Sequence, residues 1–527
     1  MKKLLILFLS FAYLASASAK TITYTGTIAG PTITESGTSA DPLILDFTAA
    51  NVTSTITLNG VSFVTLKGGT LTSAIRNQCF SFANRDSNNI TISGWKYTGP
   101  ENGVANFVWL SYCYNLTLEG NTVDNVSHLA GGDTTRNHDL KFLNNYCRTS
   151  TNTTDQTDII FLGDAYNVLI QGNKFISRAP GNASIRHNDC IQSYQEGGGG
   201  SGIPTGWVIA YNWIEVTQTS GSGDVSWGML EKLGGPNALK VYGNVMIGTG
   251  TAGNNGLCIN SSQSNGVFYC YNNTFIRKVW NPDNTVRYYG PGSLYFKNNV
   301  MQSKPGLTGT FCNNTMTPAV QDYNFFYNST PRSNSAGPNG STTKDPKFTN
   351  FDRDDFSLAP GSPLIAAGDS SIGAEYNMGI APGATWPNPR LVKRTVWDVG
   401  AYVANGTQVP TPTSTPQPTA SPSATPPPSG TPSPSATPPP SPIGWKIGQA
   451  VMAVGYPGKG ETQISLRDTP AGTVIDTEPV GGKGVITRGP EAVPPSSGVM
   501  YGADTPRWEV VWNDGKKGWT GQIVIEH

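Results

Sequence analysis

"LTLEGNTV" (116–123), "LKFLNNYC" (140–147) and "VLIQGNKF" (168–175) are copies of one short pattern. Each is a run of alternating apolar residues, then Asn, then any residue, then an apolar one. Four more copies follow: "WVIAYNWI" (207–214), "LKVYGNVM" (239–246), "VFYCYNNTF" (267–275) and "LYFKNNVM" (294–301). Their asparagines are Asn121, Asn145, Asn173, Asn212, Asn244, Asn273 and Asn299, at spacings of 24, 28, 39, 32, 29 and 26 residues. The earlier lines "VTLKGGTL" (64–71) and "ITISGWKY" (90–97) carry the same unit with another residue in the Asn slot.

One alternating strand per 20–40 residues predicts a solenoid, in which each unit is one coil and stacked coils bury a continuous core. The Asn falls where the chain turns between two sheets. There it is expected to adopt the left-handed conformation that Asn tolerates. Stacked coil upon coil, it should also form an amide ladder that satisfies buried polar groups. Leucine-rich repeats would show denser leucine, and a propeller places four strands in about 40–45 residues. The chain resembles the right-handed parallel β-helix superfamily, the pectin-lyase-like fold. The resemblance covers residues 20–403. It is supported by "DPKF…DDFSLAPGSPLIAAGD…DVGAY" (345–402), which looks like the closing coils of such proteins.

The rest of the chain divides by composition. Lys2 and Lys3, the apolar run Leu4–Leu14 and the small residues Ala17-Ser18-Ala19 read as a secretory leader over 1–19, cleaved before Lys20. A span needs about 20 apolar residues, and no stretch reaches that. Residues 404–442 form a linker whose 410–442 part holds 14 prolines and no charge, an extended spacer. Residues 443–527 end in "WEVVWNDGKKGWTGQIVIEH", a strand, an Asp514-Gly515 turn and two further strands. This resembles bacterial SH3-like domains, small barrels that commonly bind cell-wall peptide, glycan or protein ligands. The expected fold class is therefore all-β: a β-helix, a Pro/Ser/Thr-rich linker and a small barrel. Leader and tail together point to a secreted, bacterial protein.

Lys+Arg and Asp+Glu are both 35, so no net field argues for nucleic acid. The seven cysteines are scattered without metal-type spacing and fit buried apolar positions.

The longest coil, between Asn173 and Asn212, contains "IRHNDCIQSYQ" (185–195) followed by the glycine-rich "EGGGGSG". Aligning neighbouring coils sets Asp158 beside Asp189, Asp164 beside Gln195, and Glu231 one coil on, near Gln192. Carboxylates in successive coils repel unless a proton, a cation or a sugar relieves them, so the patch is a site candidate. Three readings compete. Asp158, Asp189 and Glu231 could act as paired carboxylates on a glycosidic bond. "NDCIQ" resembles the "DDC" strand of polygalacturonase-type hydrolases, with Asn188 in place of the first Asp. Alternatively, Arg186, Lys232 and His187 could serve β-elimination on a uronic-acid polymer, with Asp155, Asp158 and Asp189 holding calcium. Many members of the superfamily are such lyases. In the third reading the coil face binds glycan without cleaving it. Trp109, Phe161, Tyr194 and Trp227 then stack on sugars, with Asp164, Gln192 and Gln195 as polar contacts.

Overall fold

The computed structural model describes residues 19–83, 87–132, 137–151, 157–178, 188–194, 204–217, 225–249, 256–261, 266–279, 286–306, 320–329, 336–404 and 406–407, and seven strands beyond 450. The leader apart from Ala19, and most of the linker, lie outside these residues. Among the described residues no helix is long and apolar enough to cross a membrane. The chain divides into two units, 1–417 and 418–527.

The first unit is a parallel β-solenoid. A ten-stranded sheet takes one strand from each coil, and a twenty-stranded sheet takes two from most coils. One coil shows the plan. Ile160–Gly163 lies in the ten-stranded sheet; Tyr166–Gln171 and Lys174–Ser177 lie in the other, one on each side of Asn173. Each strand pairs in parallel with its counterpart one coil on, so Val168 sits on Trp207 and Trp207 on Leu239. The alternating pattern sends every second residue inward. Leu118, Phe142, Ile170, Ile209, Val241, Cys270 and Phe296 form one such buried column. Cysteines take inward slots as small apolar residues. The six described are all buried and unbridged, and burial pushes the Cys79, Cys113, Cys147 and Cys190 thiols well up.

The asparagine ladder forms as the spacing predicts, and is one rung longer. Asn121, Asn145, Asn173, Asn212, Asn244, Asn273, Asn299 and Asn324 are all fully buried. From Asn145 onward each amide oxygen accepts from the backbone N–H and side-chain Nδ2 of the Asn one coil earlier: Asn212 Oδ1 takes Asn173 N and Nδ2, both at 2.9 Å. Asn121 Oδ1 accepts from Trp95 N. Each Nδ2 also donates to a strand carbonyl, as Asn212 does to Ile170 O at 2.9 Å. Trp95, in the Asn slot of its own coil, does the same with its indole, which donates to Leu66 O at 3.1 Å. The left-handed residue is not the ladder Asn, as the sequence suggests, but the one before it. Gly172, Tyr211, Gly243, Asn272 and Asn298 all have φ between 54° and 70°. The strain falls there because the ladder amide itself must point inward along the strand.

Residues 345–404 differ from the expected closing coils. They add no parallel rungs. They fold into antiparallel pairs, Phe348–Asn350 with Asp355–Leu358 and Met378–Ile380 with Leu391–Arg394. This segment runs back along the Asn turns as a strap. Gly400 N donates to Asn298 O, Trp386 Nε1 to Tyr211 O and Asn388 N to Gly172 O. The cause is apolar: the outer faces of the strands after the Asn turn carry Trp213, Val245, Ile247, Val300 and Phe325. These are buried against strap residues such as Phe356, Leu364 and Val399. Strands apolar on both faces need a cover on each. Arg394 and Asp398 knit the strap from inside. Arg394 donates to the carbonyls of Asp398 and Gly400, and Asp398 accepts from Ala366 N and Ala404 N.

In the second unit, strands between Ala450 and Ile525 form a seven-stranded sheet. Arg507–Trp512 pairs antiparallel with Lys517–Thr520; the Asp514-Gly515 turn expected between them lies outside the described residues.

Candidate functional site

The outer face of the ten-stranded sheet carries two registered rows. In the first, Trp109 lies beside Gly131, Gly131 beside Phe161, Phe161 beside Gln192, and Gln192 beside Met229. In the second, Gly163 pairs with Tyr194. The adjoining pairings, Ser193 with Leu230 and Glu231 with Asn260, carry that row on to Glu231 and Asn260. Leu162 and Leu230 between these rows, and Ile160 and Ile191 before the first, point into the core.

The aromatic rings form one chain of contacts. Trp109 meets His128 edge-on at 5.8 Å, and His128 meets Phe161 at 5.6 Å. Phe161 stacks on Tyr194 at 4.6 Å with 27° between planes. His128 Nδ1 is held 2.7 Å from Asn106 Oδ1 on the neighbouring strand. Glycine makes room for two of the rings. A Cβ at Gly131 would stand 2.4 Å from the Trp109 ring, and one at Gly163 would stand 2.8 Å from Tyr194. Trp109 therefore lies against Gly131 and Tyr194 against Gly163, each in the adjacent coil. Aromatic–glycine pairing of this kind also protects the strand backbone. Trp109, Phe161 and Tyr194 are each half-buried. From Trp109 to Tyr194 the row spans three strand separations, roughly 14 Å.

Polar groups continue the row. Glu231 is half-buried, and Asn260 Nδ2 approaches its Oε1 at 3.5 Å. Among the described residues of the ten strands, Glu231 is the only carboxylate. Lys232 beside it is half-buried with φ of 62°, the extra residue where the register with Asn260 and Ser261 slips.

Asp158 and Asp189 are adjacent, as the coil alignment expects, but both are at 0 % exposure. Asp158 Oδ1 accepts from Asp189 N at 2.6 Å, and Asp189 Oδ1 accepts from the Ser226 hydroxyl. Below them Asn188 Oδ1 accepts from Thr157 N and Oγ1, both at 3.0 Å. These side chains stitch consecutive coils together at the start of the ten-stranded sheet. A polymer on the surface does not reach them in this conformation. As calcium ligands they fit poorly. Calcium asks for six to eight oxygens, and one oxygen of each carboxylate already holds a protein donor. Among the described residues no group of three His, Cys, Asp or Glu is placed to bind a metal ion.

Two further candidates move. Trp227 is 4 % exposed, packs on Phe275 and donates its indole N–H to Ile247 O at 3.0 Å, so it belongs to the core. Glu231 sits two residues from the expected register, beside Tyr194 and not Gln192. Asp164 is fully buried in the turn after Gly163, where its N–H donates to Tyr194 O. Gln192 is on the outer row but only 6 % exposed. Asp155, Arg186, His187 and Gln195 lie outside the described residues. Sequence reading missed His128, Gly131 and Gly163. The available signal was a glycine one coil from each aromatic in the same strand slot.

Together these features define a parallel β-solenoid with an aromatic row along one sheet. Compared with protein-family models and with curated proteins, the chain matches none.

Proposed function

We propose that this is a secreted polysaccharide-binding protein that holds a linear glycan along the outer face of its ten-stranded sheet. The observation that carries the reading is the aromatic row Trp109–Phe161–Tyr194, with Trp109 and Tyr194 lying against glycines and His128 packed beneath it. Flat aromatic faces bury the apolar face of a sugar ring, and the surrounding polar groups take its hydroxyls. Half-buried Glu231 and Asn260, at one end of the row, would do so. The leader and the Pro-rich spacer suit export and a tethered display. The C-terminal unit, read as SH3-like, would supply attachment to cell wall or to a protein ligand.

The test is affinity electrophoresis of the mature chain in gels containing uronic-acid or neutral polysaccharides. At least one polymer should retard the protein. Tyr194→Ala and Trp109→Ala should each weaken retardation about tenfold, as expected for lost aromatic contact area. Full retention by both variants overturns the site. The same samples report chemistry: a lyase raises absorbance near 230 nm, a hydrolase releases reducing ends without it, and a binder does neither.

A further inference from the structure

A cavity of about 420 Å³ opens where the strap crosses the strands that follow the Asn turns. Lys174, Trp213, Asp354, Asp355, Trp386 and Tyr402 line it. It belongs to the other sheet and shares no residue with the aromatic row. Its volume falls in the range of roughly 300–1,000 Å³ typical of small-ligand pockets.

Its walls are fixed before any ligand arrives. Trp386 donates its indole N–H to Tyr211 O at 3.0 Å and packs on Trp213 at 5.1 Å with 53° between planes, so the two indoles form a corner. Trp213 is itself held by Glu215 Oε2 at 3.1 Å and by Phe356. Asp355 Oδ1 accepts from Ser357 N at 3.1 Å and Oγ at 2.6 Å. Asp354 Oδ1 pairs with Lys278 Nζ at 2.6 Å. Those bonds use one oxygen of each carboxylate. Lys174 Nζ stands 5.8 Å from the Trp213 ring centre. Locked side chains of this kind lower the ordering cost of binding.

The charges select the ligand class. A bare cation entering the cavity meets the Lys174 ammonium, and a bare anion meets two carboxylates. A neutral polyol is compatible with both, because each hydroxyl donates to a carboxylate and accepts from an ammonium or phenol. The indole corner adds an apolar wall. A pyranose has this combination: an apolar C–H face and a rim of hydroxyls.

We propose that this cavity is a second carbohydrate site, which takes a single neutral pyranose unit such as a chain end or a branch. It stands independently of the aromatic row, since neither its residues nor its logic depend on that surface.

The experiment is ligand-observed saturation-transfer NMR on the mature full-length chain with D-glucose, D-galactose, D-mannose and D-xylose. Choline and D-glucuronate serve as the charged probes. One neutral sugar is expected to bind with millimolar affinity. Asp355→Asn keeps the acceptor for Ser357 but removes the charge, and should weaken that binding about tenfold. Trp386→Phe, checked for an unchanged melting transition, should weaken it by a similar factor. Tyr194→Ala should leave it unchanged, and so separates this site from the aromatic row. The proposal falls if none of the four sugars binds, if choline or glucuronate binds better than all of them, or if Asp355→Asn and Trp386→Phe both retain full affinity.

Discussion

Two polar ladders run inside this solenoid, and they obey different rules. The asparagine ladder climbs eight coils; the ladder from Asp158 through Asp189 to Ser226 climbs three. An amide both donates and accepts, so each Asn satisfies its neighbour and is satisfied in turn, and the ladder can extend indefinitely. An ionised carboxylate only accepts. Each acidic rung must therefore find its donor elsewhere: Asp158 takes a backbone N–H and Asp189 takes a hydroxyl. The acidic ladder ends at Ser226, whose hydroxyl supplies the donor that a third carboxylate would lack.

The largest effect should come from exchanging the two rules. Asn212→Asp puts an acceptor-only group at a rung that must donate to Ile170 O and to Asn244 Oδ1. An uncompensated charge buried in this way costs about 3–5 kcal/mol. Denaturant unfolding of the 20–403 unit should show that loss, and Asn212→Ala should lose less. A fully stable Asn212→Asp would show that water or a shift in backbone supplies the missing donor, and the distinction between ladders would fail.

Next is the acidic ladder itself. Asp158→Ala removes the acceptor for Asp189 N and should cost about 1–3 kcal/mol, the penalty for an orphaned buried N–H. Asp189→Asn keeps an oxygen for Ser226, and its stability should stay within about 1 kcal/mol of the parent. Glycan retention by folded Asp189→Asn should equal that of the parent. If retention or cleavage disappears while the melting transition holds, these carboxylates are chemical after all.

This contrast also explains what could be read before the coordinates. The Asn turns were legible because a strict pattern repeats seven times. The eighth, Asn324, was missed because its strand, Val320–Asp322, is too short to show alternation. The left-handed residue was placed one position late, since a sequence shows which residues tolerate positive φ but not which neighbour takes it. In the site, Phe161, Tyr194 and Trp109 were legible as strand aromatics. Asp158 and Asp189 were rightly paired but read as surface chemistry: sequence reports charge, and only packing reports that both are sealed. Trp227 failed in the same way. Glu231 slipped by two residues because the residues joining its coil to the one before, 195–203 and 218–224, give no register of their own.

The smallest expected effect concerns a third stack, the one outside. The buried ladders are held by hydrogen bonds, whereas two rings of the aromatic row, Trp109 and Tyr194, are seated by the absence of two side chains. Gly163→Ala tests this directly. Its Cβ would stand 2.8 Å from Tyr194, so the ring must tilt off the strand. Nothing in the core changes, and the melting transition should move little. Glycan affinity should fall two- to tenfold, corresponding to about 0.5–1.5 kcal/mol of lost ring-face contact. Unlike Tyr194→Ala, this change keeps the ring and its hydroxyl, so the loss would be attributable to orientation alone. Unchanged affinity in Gly163→Ala, alongside lost affinity in Tyr194→Ala, would mean that the ring is needed but its seat against Gly163 is not.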